Sequence, residues 1–414
     1  MRCHLFIAVL SLIVCSGCSE KYADGGAAVM SGDVALTSQQ EVALMHGVGT
    51  IEGGLRIGPS DDIVDLSPLK SLRSVGGDLD IRLNNRLISL AGLERLSRVG
   101  GDVEIGYNER LVGLEGLSGL TDTGGIMLLD LHALKDLRGL GGLSGPVDLN
   151  MHLCHELTNL DGLESIAEFE KLAISYCRKL TTLDGLDRPV VLDQVRLVDN
   201  PALSGFAEFT ARPGETFDVV VHGCPEFTGW DSPKQATGIG GLDIRESGLG
   251  GLAGLGDMPD LEKLLIWDCE GFATVAGHGD MGALTDLNIR GCAPLSDLDG
   301  LTPLPALETL RITNCPGLSS MARAGELPSL TGLHVQSNAD LVTLAGLVGP
   351  AALVELEIID NDGLRGLAGL EWVTGCGTLR IMANALLSDC VAETWAESIS
   401  VTDNAQVRNN GPCE

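Results

Sequence analysis

Large aromatic side chains are almost absent from this sequence. Phe, Tyr and Trp make up 3% of its 414 residues, which argues against a core packed from big rings. Positive charge is scarce as well. Against 57 Asp and Glu stand 27 Lys and Arg, a formal net charge of −30 and a pI near 4.5. No basic cluster interrupts that surface, so phosphate backbones and anionic lipid heads are repelled, and nucleic acid is excluded as a partner. A basic protein, a cationic peptide or a neutral glycan stays compatible with it. Long apolar runs are missing too: the stretch Leu5 to Val14 is ten residues long, far short of the roughly 20 that a membrane-spanning helix needs. Disorder is excluded for the opposite reason, because apolar residues reach 44% and recur along the whole chain.

Catalytic constellations are also wanting. His152-Leu153-Cys154-His155 is a possible metal corner, but Cys154 points inward by the register described below, so its neighbours cannot converge with it. A dinucleotide-binding loop needs a strand before it and a long helix after it, whereas the glycines of Gly248 to Gly254 simply recur with the repeat. Asp61-Asp62 could hold calcium, though paired loop acids are ordinary on so acidic a protein. The expectation is a binding protein that is not an enzyme and uses no cofactor or metal.

The N-terminus is a targeting segment to be set aside before the fold. Arg2 precedes the apolar stretch, and Cys15-Ser16-Gly17-Cys18 follows it. Small residues before a cysteine resemble the bacterial lipobox, in which that cysteine is acylated and becomes the new N-terminus. Cys15 stands where the lipobox family has Leu, and plain signal-peptidase cleavage is the rival reading. Residues 1–17 are thus expected to be removed and Cys18 to carry lipid. Ser19, in place of the Asp of inner-membrane retention, implies the outer membrane by that resemblance; without the lipid the chain is secreted or periplasmic. Residues 18–36 lack periodicity and predict a tether. Thr37 to Glu41 resembles a helix start before Val42, Ala43, Leu44 and Met45, so 37–50 predicts a helical cap.

From residue 51 to 386 one pattern repeats: apolar-x-apolar-x-x-N/C-x-x-L-x-x-L-x-x-L. Its small polar slot holds Ser60, Asn84, Asn108, Leu131, Cys154, Cys177, Asn200, Cys224, Ser247, Cys269, Cys292, Cys315, Asn338, Asn361, Asn384 and Asn404, at steps of 22 to 24 residues with a last step of 20. Three residues before each slot the side chain is apolar throughout, from Ile57 and Ile81 to Ile381 and Val401. Three residues after it come Ile63, Leu87, Leu111 and their successors; only the Ser247 repeat slips, to Leu249. An apolar-x-apolar pair is a short strand with one buried face. The slot side chain can bond backbone groups left unpaired by the turn, and each unit buries its apolar edge only against its neighbours. The fold class is therefore a repeat solenoid with a parallel β-sheet on one face and short loops and turns on the other.

Units such as Leu304 to Cys315 resemble leucine-rich repeats, and Val75 to Leu87 resembles the receptor L domain. The resemblance covers about residues 50 to 410. It implies architecture and says little of ligand, because these families bind very different partners.

Six of the 12 cysteines occupy the Asn slot and read as small buried residues rather than a disulfide framework. Parallel neighbours set Cβ atoms about 4.8 Å apart, longer than the ~3.8 Å a disulfide prefers, and a line of thiols is not a tetrahedral metal site. Cys390 and Cys413 lie off that register, one repeat apart, and predict a disulfide that staples a C-terminal cap of residues 387–414. Cys376 has no evident partner.

The outward positions of the strands form the informative surface. Early rungs present the acidic group Asp78, Asp80, Arg82, Asp102 and Glu104. Middle rungs present Lys263, Leu265, Trp267, Asp286, Asn288, Arg290, Arg311, His334 and Gln336. Trp267 near Arg290 and Arg311 fits an anchor for a protein or peptide, or a stacking platform for a glycan. Lys263, Trp267, Arg290, Arg311 and His334 are the candidate binding residues. The alternative is a structural envelope protein with no discrete ligand.

Overall fold

The computed structural model describes residues 27–186, 190–205, 207, 209–230 and 237–413, together with the backbone of 20–22. The signal segment, Cys18, Phe206 and Pro233 lie outside the described residues. Contacts divide the chain into two compact units, residues 1–203 with 207–209 and residues 204–206 with 210–414. The division falls within the solenoid expected over 51–386, close to a tight turn at Arg212 to Glu215 with Gly214 at φ 82°.

Each unit is a parallel β-solenoid of the leucine-rich-repeat kind. In the first, the main strands are β1 (Val34–Leu36), β2 (Leu55–Ile57), β3 (Leu79–Arg82), β4 (Val103–Gly106), β5 (Gly125–Leu129), β6 (Val147–His152), β7 (Glu168–Ser175) and β8 (Val190–Val198). The apolar residues three before each slot pair directly with one another: Ile57 with Ile81, then Ile105, Leu128, Met151, Ile174 and Leu197. In the second unit the strands are β9 (Phe217–His222), β10 (Ile239–Arg245), β11 (Lys263–Trp267), β12 (Asp286–Arg290), β13 (Thr309–Thr313), β14 (Gly332–Gln336), β15 (Ala352–Ile359), β16 (Gly375–Met382) and β17 (Ser400–Arg408). The same in-register column runs Val221, Ile244, Ile266, Ile289, Ile312, Val335, Ile358, Ile381 and Val407. From Ile57 to Ile381 these residues are buried, as are the leucines and phenylalanines three past the slots. Period-two alternation leaves the residues between them facing outward.

The slot works as the sequence implies. In the first unit Asn108 donates from Nδ2 to the Ile81 carbonyl (2.7 Å), and its Oδ1 accepts from the Asn84 backbone N–H (2.9 Å). In the second, Asn338, Asn361 and Asn384 repeat this pair of bonds rung after rung. Each buried amide thereby satisfies both a carbonyl and an N–H of the preceding rung. Where Cys fills the slot, the thiol donates weakly to the carbonyl two residues back, as in Cys177 to Ser175 (3.6 Å) and Cys292 to Arg290 (3.4 Å). All six slot cysteines and Cys376 are buried thiols outside any disulfide. Burial pushes the Cys269 thiol up, and Cys292 is pushed up by its hydrogen bond to Cys315 and by burial, so these groups stay protonated and inert.

One backbone feature recurs beside the slots. The residue just before the slot takes a left-handed conformation (Leu83 φ 57°, Tyr107 56°, Tyr176 57°, Asn314 54°, Ser337 53°, Ala383 58°), with glycine at Gly223 and Gly291. That reversal turns the strand into the core and aims the slot side chain along the stack.

Three expectations are revised. Residues 28–36, read as tether, are ordered: Ala28–Met30 pairs with Val48–Ile51, and β1 pairs with β2. A three-residue strand is too short to show a period, and neighbouring backbone supplies its bonds. The helix α1 (Gln39–Leu44) forms, with Ser38 accepting from the Glu41 N–H, but it follows β1 and packs beside Ser67–Leu69 as the return of the first coil. The last slot is Asn410, not Asn404. Asn404 is exposed opposite Thr378, whereas Asn410 bonds the Ile381 carbonyl and the Asn384 N–H. The last coil is 26 residues long because α2 (Asp389–Glu397) is inserted into it. Cys390 and Cys413 are joined by a disulfide there.

Candidate functional site

In the second unit the outward side chains fall into three columns, set by the register. The first column runs Asp218, Gly241, Lys263, Asp286, Thr309, Gly332 and Glu355, and the middle one Val220, Asp243, Leu265, Asn288, Arg311, His334, Glu357 and Arg380. The third runs His222, Arg245, Trp267, Arg290, Thr313 and Gln336.

The third column contains a stack. The Arg245 guanidinium lies 4.6 Å from the centroid of Trp267, and the Arg290 guanidinium lies 4.5 Å from it. These two residues pair with Trp267 from opposite neighbouring strands, β10 and β12, so the indole is covered on both faces. Parallel strands about 4.8 Å apart put in-register planar groups at stacking distance. Arg245 is itself fixed by a two-pronged bond to Asp243, 2.7 Å at each contact. Arg290 is exposed and makes no ion pair with a described residue, and the same holds for Lys263.

Beside the stack lies a groove of about 340 Å³, with Val220, Gly241, Leu265 and Asn288 along it and Asp218, Asp243, Lys263 and Asp286 around it. Gly241 opens it: a side chain there would meet the Asp218 carboxylate at 2.4 Å.

The five residues singled out from sequence do not all come together. Lys263, Trp267 and Arg290 share the adjacent strands β11 and β12. Arg311 is not a flank of Trp267; it stands in the middle column, bound to Asp286 at 2.8 Å. His334 is buried (8% exposed) and faces Glu357, 6% exposed, at 2.9 Å, with Glu355 at 3.6 Å. Glu357 also accepts from Gln336 (2.6 Å) and from Arg380. His334, Glu355 and Glu357 are near enough to share a metal ion, but each charge there already has a partner from the chain. Burial raises the Glu357 carboxyl, and the hydrogen bonds from His334 and Arg380 outweigh it, leaving the group below the ordinary carboxylate range.

Arg245 was missed from sequence. Its signal is position: it stands two residues before the Ser247 slot, as Trp267 and Arg290 stand two before Cys269 and Cys292. Removing both ring faces from solvent also removes the stacking platform expected of Trp267. The early acidic group is internally paired: Arg82 binds Asp80 at 2.6 Å and Glu104 at 2.9 Å, and Asp78 accepts from the Asp102 N–H. His152 and His155 part company as expected. His152 bonds Ser175 at 2.8 Å, while His155 stacks on His132.

No protein-family model matches this chain, and no curated protein matches it. A leucine rich cell surface protein from Faecalibacterium prausnitzii is a similar solved structure at 10% identity, over 95% of this chain and 94% of that one, with a TM-score of 0.15. At that score the likeness carries no argument about fold or function.

Proposed function

We propose that this chain is a recognition scaffold of the bacterial cell envelope, anchored by lipid on Cys18, that binds a protein, peptide or glycan ligand without catalysing a reaction. The observation that carries the reading is the open groove between Gly241 and Asn288, with the Arg245–Trp267–Arg290 stack on the same strands one column away. A repeat sheet supplies a rigid face on which a few side chains can be set at fixed spacing. Trp and Arg are the residue types that most often carry binding energy at protein surfaces, and here they are pre-organised by one another. Lys263 and Arg290 keep charge available that no described acid neutralises.

The test is a peptide array and a glycan array probed with the full-length protein, with a Lys263→Ala/Arg290→Ala double variant, and with Arg365→Ala as an exposed control. Retained probes whose signal falls in the double variant and persists in the control support recognition. No retained probe, or signals unmoved by the double variant, overturns the groove as the site and favours a structural coat protein without a discrete ligand.

A further inference from the structure

The groove also limits what its ligand can be, and this step rests on the recognition reading above. We infer that the ligand is an extended polypeptide segment in which two carboxylates flank one apolar side chain, in the pattern acidic-x-apolar-x-acidic.

Charge gives the first part. In the second unit the Lys and Arg residues gather on the sheet face: Arg245, Lys263, Arg290, Arg311, Arg380 and Arg408 stand at outward strand positions. Around the groove, Asp243 is neutralised by Arg245 and Asp286 by Arg311. Lys263 and Arg290 make no ion pair with a described residue, while the carboxylates of Asp218 and Asp268 stand near Gly241 and Gly291. On a chain of net charge −30, these two cations without an ion pair remain for an incoming carboxylate.

Geometry gives the second part. Lys263 lies in the first column and Arg290 in the third, four residues further along the strand direction. At about 3.3 Å per residue that separation is roughly 13 Å. Between them in the middle column lie Leu265 and, one strand away, Asn288, at the groove floor. An extended peptide laid along these strands has its own period of two, so residues i, i+2 and i+4 face the three columns. Carboxylates at i and i+4 then meet Lys263 and Arg290, and an apolar side chain at i+2 meets Leu265. Held over Trp267, the Arg290 guanidinium loses less freedom on forming a two-pronged bond to a carboxylate.

Ring faces decide against a sugar. An aromatic residue recognises a sugar chiefly by stacking, and both faces of Trp267 are occupied by guanidinium groups.

Fluorescence anisotropy with the full-length protein tests this, using labelled peptides containing Glu-Gly-Leu-Gly-Glu, Gln-Gly-Leu-Gly-Gln or Lys-Gly-Leu-Gly-Lys, and a labelled uronate oligosaccharide. The acidic peptide is expected to bind at least about 10-fold more tightly than the Gln peptide. Arg290→Ala should weaken it about 10-fold, Arg290→Lys by less, and Lys263→Ala by several-fold, with thermal unfolding of each variant unchanged. Equal binding of the three peptides, tighter binding of the Lys peptide, or preference for the uronate overturns the inference. If array probes of other chemistry still respond to the Lys263→Ala/Arg290→Ala change, the inference alone fails. If none do, the recognition reading fails with it.

Discussion

At the scale of single residues, the slot amides and the reversed backbone beside them hold each coil in place. Asn361 donates to the Val335 carbonyl (2.9 Å), and its Oδ1 accepts from the Asn338 N–H (3.1 Å). Asn361→Ala leaves two buried backbone groups without partners, at about 1–3 kcal/mol each. A loss of about 3 kcal/mol is expected, read as a lower urea midpoint; a loss under about 1 kcal/mol would show the amides to be dispensable. The backbone next to the slot invites the opposite change. Leu83 is 48% exposed and held at φ 57°, a region that costs a non-glycine residue roughly 1–2 kcal/mol. Glycine there removes that cost and adds about 0.5–1 kcal/mol of chain entropy. Leu83→Gly should therefore raise stability by up to about 1 kcal/mol, and Leu83→Val should lower it; a midpoint that falls with glycine refutes the strain argument. The slots were legible in the sequence because burial with a fixed set of backbone partners admits few side chains. The reversal was not, since Leu, Tyr, Ser and Ala occupy it as readily as Gly223 and Gly291 do, and the conformation is imposed by the stack rather than by local preference.

Among elements, register decides which outward residues meet. Column membership can be counted from the slots, which is why Lys263, Trp267 and Arg290 were findable and why Arg311 and His334 were assigned to the same patch too freely. Sequence spacing marks a residue as outward but does not report its ion pairs. Arg245 can be counted the same way, two residues before Ser247, but the sequence carries no sign that its guanidinium turns onto the Trp267 ring. Asn410 was hidden because α2 lengthens the last coil. The cluster across β14, β15 and β16 makes a pH prediction. Glu357, facing His334, Gln336 and Arg380 with Glu355 beside it, has its folded-state pKa depressed. A depressed carboxyl stabilises the fold fully above the unfolded value, about 4.3, and that contribution is lost as pH falls through the folded value. Wild type should therefore lose stability on acidification below about pH 4.5. Glu357→Gln should cost about 2 kcal/mol at pH 7, as the loss of hydrogen bonds to a charged group, with the gap to wild type narrowing below pH 4. A gap independent of pH, followed by denaturant unfolding across the range, contradicts the ionised network.

For the whole molecule, the proposed place at the envelope needs an anchor. No helix among the described residues is long and apolar enough to cross a membrane. Charge cannot serve either, because a surface of net −30 is repelled by anionic lipid heads. Acyl chains remain, each contributing about 0.8 kcal/mol per buried CH₂, and a stable anchor needs more than one. A diacylglyceryl group on Cys18 would meet that requirement. Protein extracted from membranes is expected to have the mass of a chain starting at Cys18 plus that group. Cys18→Ala should abolish the added mass and move the protein to the soluble fraction. An unmodified wild-type chain in the soluble fraction would remove the anchor from the proposal while leaving the groove untouched, since β9 to β12 lie some two hundred residues further along the chain. The two parts of the functional reading therefore stand or fall on separate measurements, one on the mass of the N-terminus and the other on Arg290 and Lys263.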